Sequence, residues 1–272
     1  MDKYAVIGNP VAHSKSPFIH KLFAEQTGQD MEYGAILSPL NGFNDAVVRF
    51  IQSGGKGMNV TLPFKEQAYA LAQTLSDAAQ KAEAVNTLIF HQGQIQGHNT
   101  DGVGLIADLH FHQVPITNKR VLLVGAGGAA RGVIPPLLEG KPAVLHLANR
   151  TVDKALSLAM HFKGFGNVEA SGLQEVPLGH FDLIINASSA SLSGERPEIG
   201  EGLVGNTTVC YDMLYSREAT SFNRWAKAQG AAKTLDGLGM LVEQAAESFY
   251  LWRGIRPQTE KVREKLREAL MN

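Results

Sequence analysis

Cysteine is all but missing from this chain: among 272 residues only Cys210 carries a thiol. No intrachain disulfide can form, and a lone thiol within the apolar run 207–211 reads as a buried, inert side chain. No uninterrupted apolar stretch reaches the ~18–20 residues that a membrane helix needs. Met1 leads within three residues into Tyr4-Ala5-Val6-Ile7, without the basic and apolar regions of an export signal, so a cytoplasmic protein is expected. An excess of charge of either sign is lacking too. Lys and Arg number 25 against 26 Asp and Glu, a formal charge of -1, and the pI is about 6.8. That balance makes no global electrostatic case for nucleic acid or an anionic membrane, and leaves room for a local basic pocket. There is no GxSxG nucleophile elbow, and Cys210 has no evident base. His110 and His112 stand two apart on a helical stretch and point to different faces, so no metal is expected. Repeats and low-complexity tracts are absent as well.

What remains is an ordinary globular composition, 44% hydrophobic and 19% charged, long enough for two cores. Short apolar runs alternate with helical patterns, which argues for α/β architecture with mostly parallel sheets. Strands are expected over residues 4–7, 32–37, 57–61, 85–90, 120–124, 143–147, 167–170, 181–186 and 207–212. The segment 85–98 breaks the rhythm: two runs joined by His91-Gln92-Gly93-Gln94 read as a hairpin. A boundary is expected near Asp101-Gly102. After Gly237 the chain reads as two helices, 240–253 and 258–271, separated by Gly254 and Pro257 and expected to return to the first domain. The expected division is therefore 1–101 with 238–272, and 102–237. A single (β/α)₈ barrel is the rival fold, disfavoured by the hairpin and by a glycine turn opening halfway along.

That turn is the run VLLVGAGGAARG, residues 121–132, where a buried-strand pattern breaks into glycines and becomes a helix. Gly125 would allow the tight turn, Gly127 would let backbone approach a pyrophosphate, and Ala130 would pack helix on strand. Alone, a GxGxxA match also suits plain packing. The next strand, however, ends in Asn149-Arg150-Thr151 rather than in an acidic residue for ribose hydroxyls. A guanidinium presents paired donors to phosphate oxygens, so the reading is NADP rather than NAD. The bland alternative makes Thr151 a helix cap and Arg150 a solvated charge.

The first domain offers three further segments. In Asn9-Pro10-Val11-Ala12-His13-Ser14-Lys15-Ser16-Pro17, Ser16 reads as the N-cap of a helix with Pro17 at its first position. Ser14 beside it leaves a second hydroxyl, and the pair would suit a small carboxylate at a helix N-terminus. In Asn59-Val60-Thr61-Leu62-Pro63-Phe64-Lys65-Glu66 a strand turns into a helix whose first turn carries Lys65. A cation there opposes the helix dipole, which suits an acid–base role; the alternative is a solvated lysine offset by Glu66. In Asn99-Thr100-Asp101-Gly102, Asp101 either caps the following helix or serves a site. Ser14, Thr61, Lys65 and Asn86 all fall at or just past strand ends, where open α/β sheets hold their ligands.

In order along the chain, NPVAHSKSP, GMNVTLPFKE, EAVNTL, HNTDGVG, GAGGAARG, ANRT, YDMLY and DGLGMLVEQAAESF together resemble the shikimate dehydrogenase family, and within it the NADP-dependent bacterial biosynthetic type. The resemblance implies an N-terminal substrate domain, a Rossmann-like NADP domain, and reversible NADPH-dependent reduction of 3-dehydroshikimate to shikimate. Carried onto matching positions, Ser14 and Ser16 would bind the substrate carboxylate with Tyr215 nearby. Thr61, Lys65, Asn86, Asp101 and Gln244 would bind ring hydroxyls, with Lys65 and Asp101 the catalytic pair. Gly125, Ala126, Gly127, Gly128 and Ala129 would cradle the pyrophosphate. Asn149, Arg150, Thr151 and Lys154 would hold the 2′-phosphate, Lys154 standing where relatives often carry a second arginine. Met213, Gly237 and Met240 would line the nicotinamide end. Ser191 stands where relatives usually have glycine, which would strain a loop needing positive φ there. Rival readings are a quinate/shikimate dehydrogenase using either cofactor, for which Asp153 is the nearby acid, and a non-catalytic NADP sensor, against which the presence of both Lys65 and Asp101 argues. A monomer or homodimer is expected.

Overall fold

The alternating apolar runs become two six-stranded sheets, one in each of two units. The structure, a computed structural model, describes residues 1–271. One unit comprises Met1–Gly104 with Leu241–Leu270, the other Leu105–Met240.

In the first unit the chain runs β1 (Asp2–Gly8), α1 (Ser16–Thr27), β2 (Met31–Leu37), α2 (Phe43–Gln52), β3 (Gly55–Val60), α3 (Lys65–Leu71), β4 (Thr74–Leu75), α4 (Asp77–Ala82), β5 (Thr87–His91), β6 (Gln94–His98) and into α5 (Asp101–Phe111). The sheet order is β2-β1-β3-β5-β6-β4. β1 lies parallel to β2 and β3, while β5 is antiparallel to both β3 and β6. The sheet is thus mostly parallel, as expected, with β5 alone reversed by the hairpin. Its turn residues Gln92 and Gly93 both have positive φ, 50° and 77°, the twist that suits a two-residue loop. β4 carries too little apolar pattern to be foreseen and exists because Thr74 and Leu75 pair with Gln96 and Gly97. Ile7, Met58, Val60, Phe64 and Leu88 form the core beneath, with Phe43, Ala46 and Val47 of α2 meeting it at helical spacing.

The second unit continues with β7 (Arg120–Val124), α6 (Gly128–Glu139), β8 (Val144–Asn149), α7 (Val152–Phe162), β9 (Val168–Gly172), β10 (Leu183–Asn186), a 3₁₀ turn (Ala190–Ser193), β11 (Val209–Asp212), α8 (Ser221–Ala228) and β12 (Lys233–Asp236). All neighbours are parallel, in the order β12-β11-β10-β7-β8-β9. Successive residues feed opposite faces. Val121, Leu123, Leu183 and Ile185 join one core, Leu122, Val124, Ile184 and Cys210 the other, which is why these strands read as unbroken apolar runs. Strand order reverses between β7 and β10, the switch point of a doubly wound sheet. β12 lay beyond the periodic signal because, of its four residues, only Leu235 is buried. Three expected strands start two residues late, at Thr87, Leu183 and Val209, and the one expected over 143–147 runs Val144–Asn149.

α9 (Leu238–Arg253) and α10 (Glu260–Met271) close the chain, with Leu241–Leu270 belonging to the first unit. Phe249 is fully buried there, and the Trp252 indole donates to the Leu88 carbonyl at 3.1 Å.

Candidate active site

Lys65 is the first residue of α3, and Asp101 the first of α5. The two side chains meet at 2.5 Å between Nζ and Oδ2, with 16% and 7% of their surface exposed. Asp101 does not spend its carboxylate on capping α5. That task falls to Asn99, whose Oδ1 accepts the Asp101 N–H at 3.1 Å, leaving the Asp101 side chain to face Lys65 and Asn86.

Asn86 sits just before β5 and is 3% exposed. Its Nδ2 donates to Asp101 Oδ1 and Thr100 Oγ1, both at 2.9 Å, and more weakly to Gln244 Oε1 at 3.4 Å. Lys65, Asn86, Asp101 and Gln244 therefore form one connected group, although they come from α3, the start of β5, α5 and α9. Thr61 lies just past β3, its N–H bonded to the Ile7 carbonyl at 2.9 Å. Chemically, the cluster offers an ammonium whose charge is matched by a carboxylate, beside amide groups able to hold hydroxyls.

Ser16 is not the N-cap of α1 but its first helical residue; Lys15 holds the cap position without a side-chain bond, and Pro17 follows Ser16. Ser14 Oγ instead receives the Ser16 N–H at 3.3 Å. The first turn carries no acidic residue, so two hydroxyls lie at a positive helix end suited to a carboxylate. Burial pushes the Tyr33 phenol well above its ordinary value, opposed by a hydrogen bond from Ser16.

In the second unit, Gly125 follows β7 with φ +121°, a conformation that favours glycine, and an added Cβ would lie 3.0 Å from the Ala187 carbonyl. Gly127 caps α6 with open space above it, and no side chain caps the helix. Ala130 is fully buried where helix meets strand. Gly125 spends its own N–H on the Ala148 carbonyl at 2.8 Å, and in the rest of the turn, Ala126, Gly127, Gly128 and Ala129, the uncapped N-terminus of α6 beside the open space at Gly127 is a fit for a pyrophosphate at the switch point. Asn149 ends β8 and its Nδ2 donates to the Thr151 carbonyl at 2.9 Å. Thr151 occupies the α7 cap position but makes no side-chain cap bond. Arg150, Thr151 and Lys154 are all exposed, and among the described residues Arg150 has no ion pair, so this donor set fits an added phosphate.

Met213, Gly237 and Met240 are brought together. A Cβ on Gly237 would fall 2.1 Å from the Met213 carbonyl oxygen, so this close approach requires glycine. Met240 is 6% exposed, and Met213 packs on the same core. Ser191 lies in the 3₁₀ turn without positive φ, so glycine is not needed there. Its hydroxyl donates to Asp212 Oδ2 at 2.8 Å, and burial raises that carboxyl above the usual range. Burial likewise lifts the Cys210 thiol to about 12, far from reactivity. Tyr215 lies in the loop after β11, in the second unit rather than with the other substrate candidates.

Sequence reasoning passed over Thr100, Thr87, Asn59 and Ser248, four buried polar residues around Asn86. Asn59 was visible as an amide inside an apolar strand. The other three leave no periodic trace.

Residues 6–88 match the shikimate dehydrogenase substrate binding domain, 106–196 the shikimate / quinate 5-dehydrogenase family, and 237–267 the shikimate 5′-dehydrogenase C-terminal domain. A shikimate dehydrogenase (NADP(+)) of Photobacterium profundum is 55% identical over 271 residues, 99% of both chains. An Ael1 enzyme from Pseudomonas putida is 44% identical with a TM-score of 0.90, covering 98% of each chain. The shikimate 5-dehydrogenase of Thermus thermophilus, crystallised with NADP(H) and shikimate, is 34% identical with a TM-score of 0.87, covering 99% of this chain and 100% of its own.

Proposed function

The chain belongs to the shikimate dehydrogenase family, and on that premise we propose how its residues divide the reaction. It is an NADP-dependent oxidoreductase that reduces 3-dehydroshikimate to shikimate in aromatic amino acid biosynthesis. Residues 1–101 with 238–272 act as the substrate domain and 102–237 as the NADP domain. NADPH, when bound, supplies the hydride that reaches the ketone carbon. Lys65 Nζ gives a proton to the oxygen that becomes the alcohol, and Asp101 holds the ammonium in place and stabilises its charge. Reduction consumes one hydride and one proton; the reverse oxidation returns the proton to Lys65.

Ser14 and Ser16 bind the substrate carboxylate, with Tyr215 nearby. Thr61, Asn86 and Gln244 hold ring hydroxyls, which orients the ketone toward Lys65. Backbone groups of Gly125, Ala126, Gly127, Gly128 and Ala129 bind the pyrophosphate. Asn149, Arg150, Thr151 and Lys154 bind the 2′-phosphate, while Met213, Gly237 and Met240 line the nicotinamide end. No described helix is long and apolar enough to cross a membrane. The proposed location is the cytoplasm, and the proposed working state a monomer or homodimer.

The observation that carries this reading is the contact of Lys65 with Asp101 beside Asn86. The test is to mix the protein with shikimate and NADP+ and follow reduced-nicotinamide absorbance, then repeat with Lys65→Met. Rapid turnover in the wild type and near-complete loss in the variant is the expected result. A variant with intact kcat and a raised KM would make Lys65 a binding group instead.

A further inference from the structure

We propose that Thr87 is a positioning residue for the reaction, the middle link of a one-directional hydrogen-bond relay that aims the Asn86 amide at Asp101. The inference rests on the reading of Lys65 and Asp101 given above.

A carboxamide has two ends of similar shape, and only one can serve a carboxylate. Turned the wrong way, Asn86 would press its carbonyl oxygen against Asp101. Two backbone groups decide the matter. The Thr100 N–H can only donate, and it meets Asn86 Oδ1 at 2.9 Å. The Asn86 carbonyl can only accept, and it meets Asn59 Nδ2 at 3.2 Å. Asn59 therefore turns its NH₂ inward and its Oδ1 toward the Tyr33 phenol, which donates at 2.7 Å.

The same NH₂ reaches Thr87 Oγ1 at 3.1 Å and Ser248 Oγ at 3.0 Å. Ser248 gives its own proton back to the Gln244 carbonyl at 3.0 Å. Thr87 Oγ1, which accepts this hydrogen bond from Asn59, donates to Asn86 Oδ1 at 2.9 Å and also lies 2.8 Å from Ser248 Oγ. Asn86 then donates to Asp101 Oδ1 at 2.9 Å, which leaves Asp101 Oδ2 for Lys65 at 2.5 Å. Each donor points the same way: phenol, amide, hydroxyl, amide, carboxylate. Such chains polarise one another in a low-dielectric interior.

Thr87 and Ser248 are fully buried and Asn59 is 6% exposed, so water cannot replace a missing link. Without the Thr87 hydroxyl, Asn86 Oδ1 loses one of its three donors and keeps only the Thr100 N–H and hydroxyl, while the Asn59 NH₂ keeps the Asn86 carbonyl and Ser248 Oγ. The amide is then less firmly aimed, and the carboxylate beside Lys65 with it. Thr87 itself touches neither reacting atoms nor ammonium.

The experiment compares Thr87→Val, close in shape but without a hydroxyl, with Thr87→Ser, which restores it. Steady-state kinetics with shikimate and NADP+ are measured on folded protein whose thermal unfolding is also recorded. For Thr87→Val, kcat is expected to fall about tenfold to a hundredfold with both KM values moving less than about threefold. Thr87→Ser should recover to within about threefold of the wild type. If Thr87→Val does not fold, Thr87→Cys, similar in size and a weak donor, carries the same expectation. The proposal is overturned if the hydroxyl-free variant keeps kcat within about twofold, even with lowered Tm, or if Thr87→Ser is equally slow. Lys65→Met, run in parallel, judges the underlying reading alone: if it turns over normally the proton-donor role fails, while the Thr87 pair still reports on positioning.

Discussion

The two candidate sites are built on opposite plans. In the first unit, Lys65, Asn86, Asp101 and Gln244 come from distant stretches of chain, are largely buried, and satisfy one another before any ligand arrives. In the second, Gly125 to Ala129 and Asn149 to Lys154 are two short local segments that present an uncapped helix end and exposed cations outward. Proton chemistry needs side chains held to fractions of an ångström, so it is paid for with a buried network. Phosphate binding needs charge and free donors, which a helix end and a solvated guanidinium supply locally.

By this contrast, damage to the first site should lower turnover and damage to the second should raise KM. The largest effect is expected for Lys65→Met, with kcat down about 10²–10⁴-fold and KM for NADP+ little changed. Next, Arg150→Ala should raise KM for NADP+ about tenfold to a hundredfold while leaving KM for shikimate and KM for NAD+ unaltered; a uniform rise for both cofactors would remove the phosphate role.

A third test addresses the buried wall behind the first site. His20 is fully buried and stacked on Tyr33 at 4.2 Å between ring centroids, and burial lowers its pKa to about 3. The unfolded chain binds a proton there below about 6.5 and the folded chain does not until about 3, so stability is lost as pH falls through that window. The loss should approach ~1.4 kcal/mol per pH unit, about 2 kcal/mol at pH 5. Denaturant unfolding of His20→Phe across this range should show a correspondingly shallower pH dependence. An unchanged slope would mean that His20 is protonated in the fold.

The smallest effect is expected for Ser14→Ala. One hydroxyl among several carboxylate donors is worth about 0.5–1.5 kcal/mol, so KM for shikimate should rise about threefold to tenfold with kcat nearly intact. A kcat defect instead would tie Ser14 to positioning rather than binding.

Much of this was legible along the chain because local physics wrote it there. The positive φ at Gly125, the cap position at Gly127 and the cation after β8 are properties of a few consecutive residues. The hairpin announced itself through Gln92-Gly93, and the parallel strands through unbroken apolar runs. Where reading failed, the cause was distance. Ser16 looked like a cap by composition, yet the helix begins one residue earlier because Lys15 takes that geometry. β4 and β12 are strands only because β6 and β11 lie beside them.

Sequence by itself determined the α/β alternation, the glycine turn and its fit to a phosphate, and the residue types suited to moving a proton. Tertiary structure alone decided that Asn99 rather than Asp101 caps α5, and that Thr87 and Ser248 stand behind Asn86. The physical reason is that a backbone turn is set by its own φ and ψ, whereas the direction of a buried amide is set by every donor and acceptor packed around it.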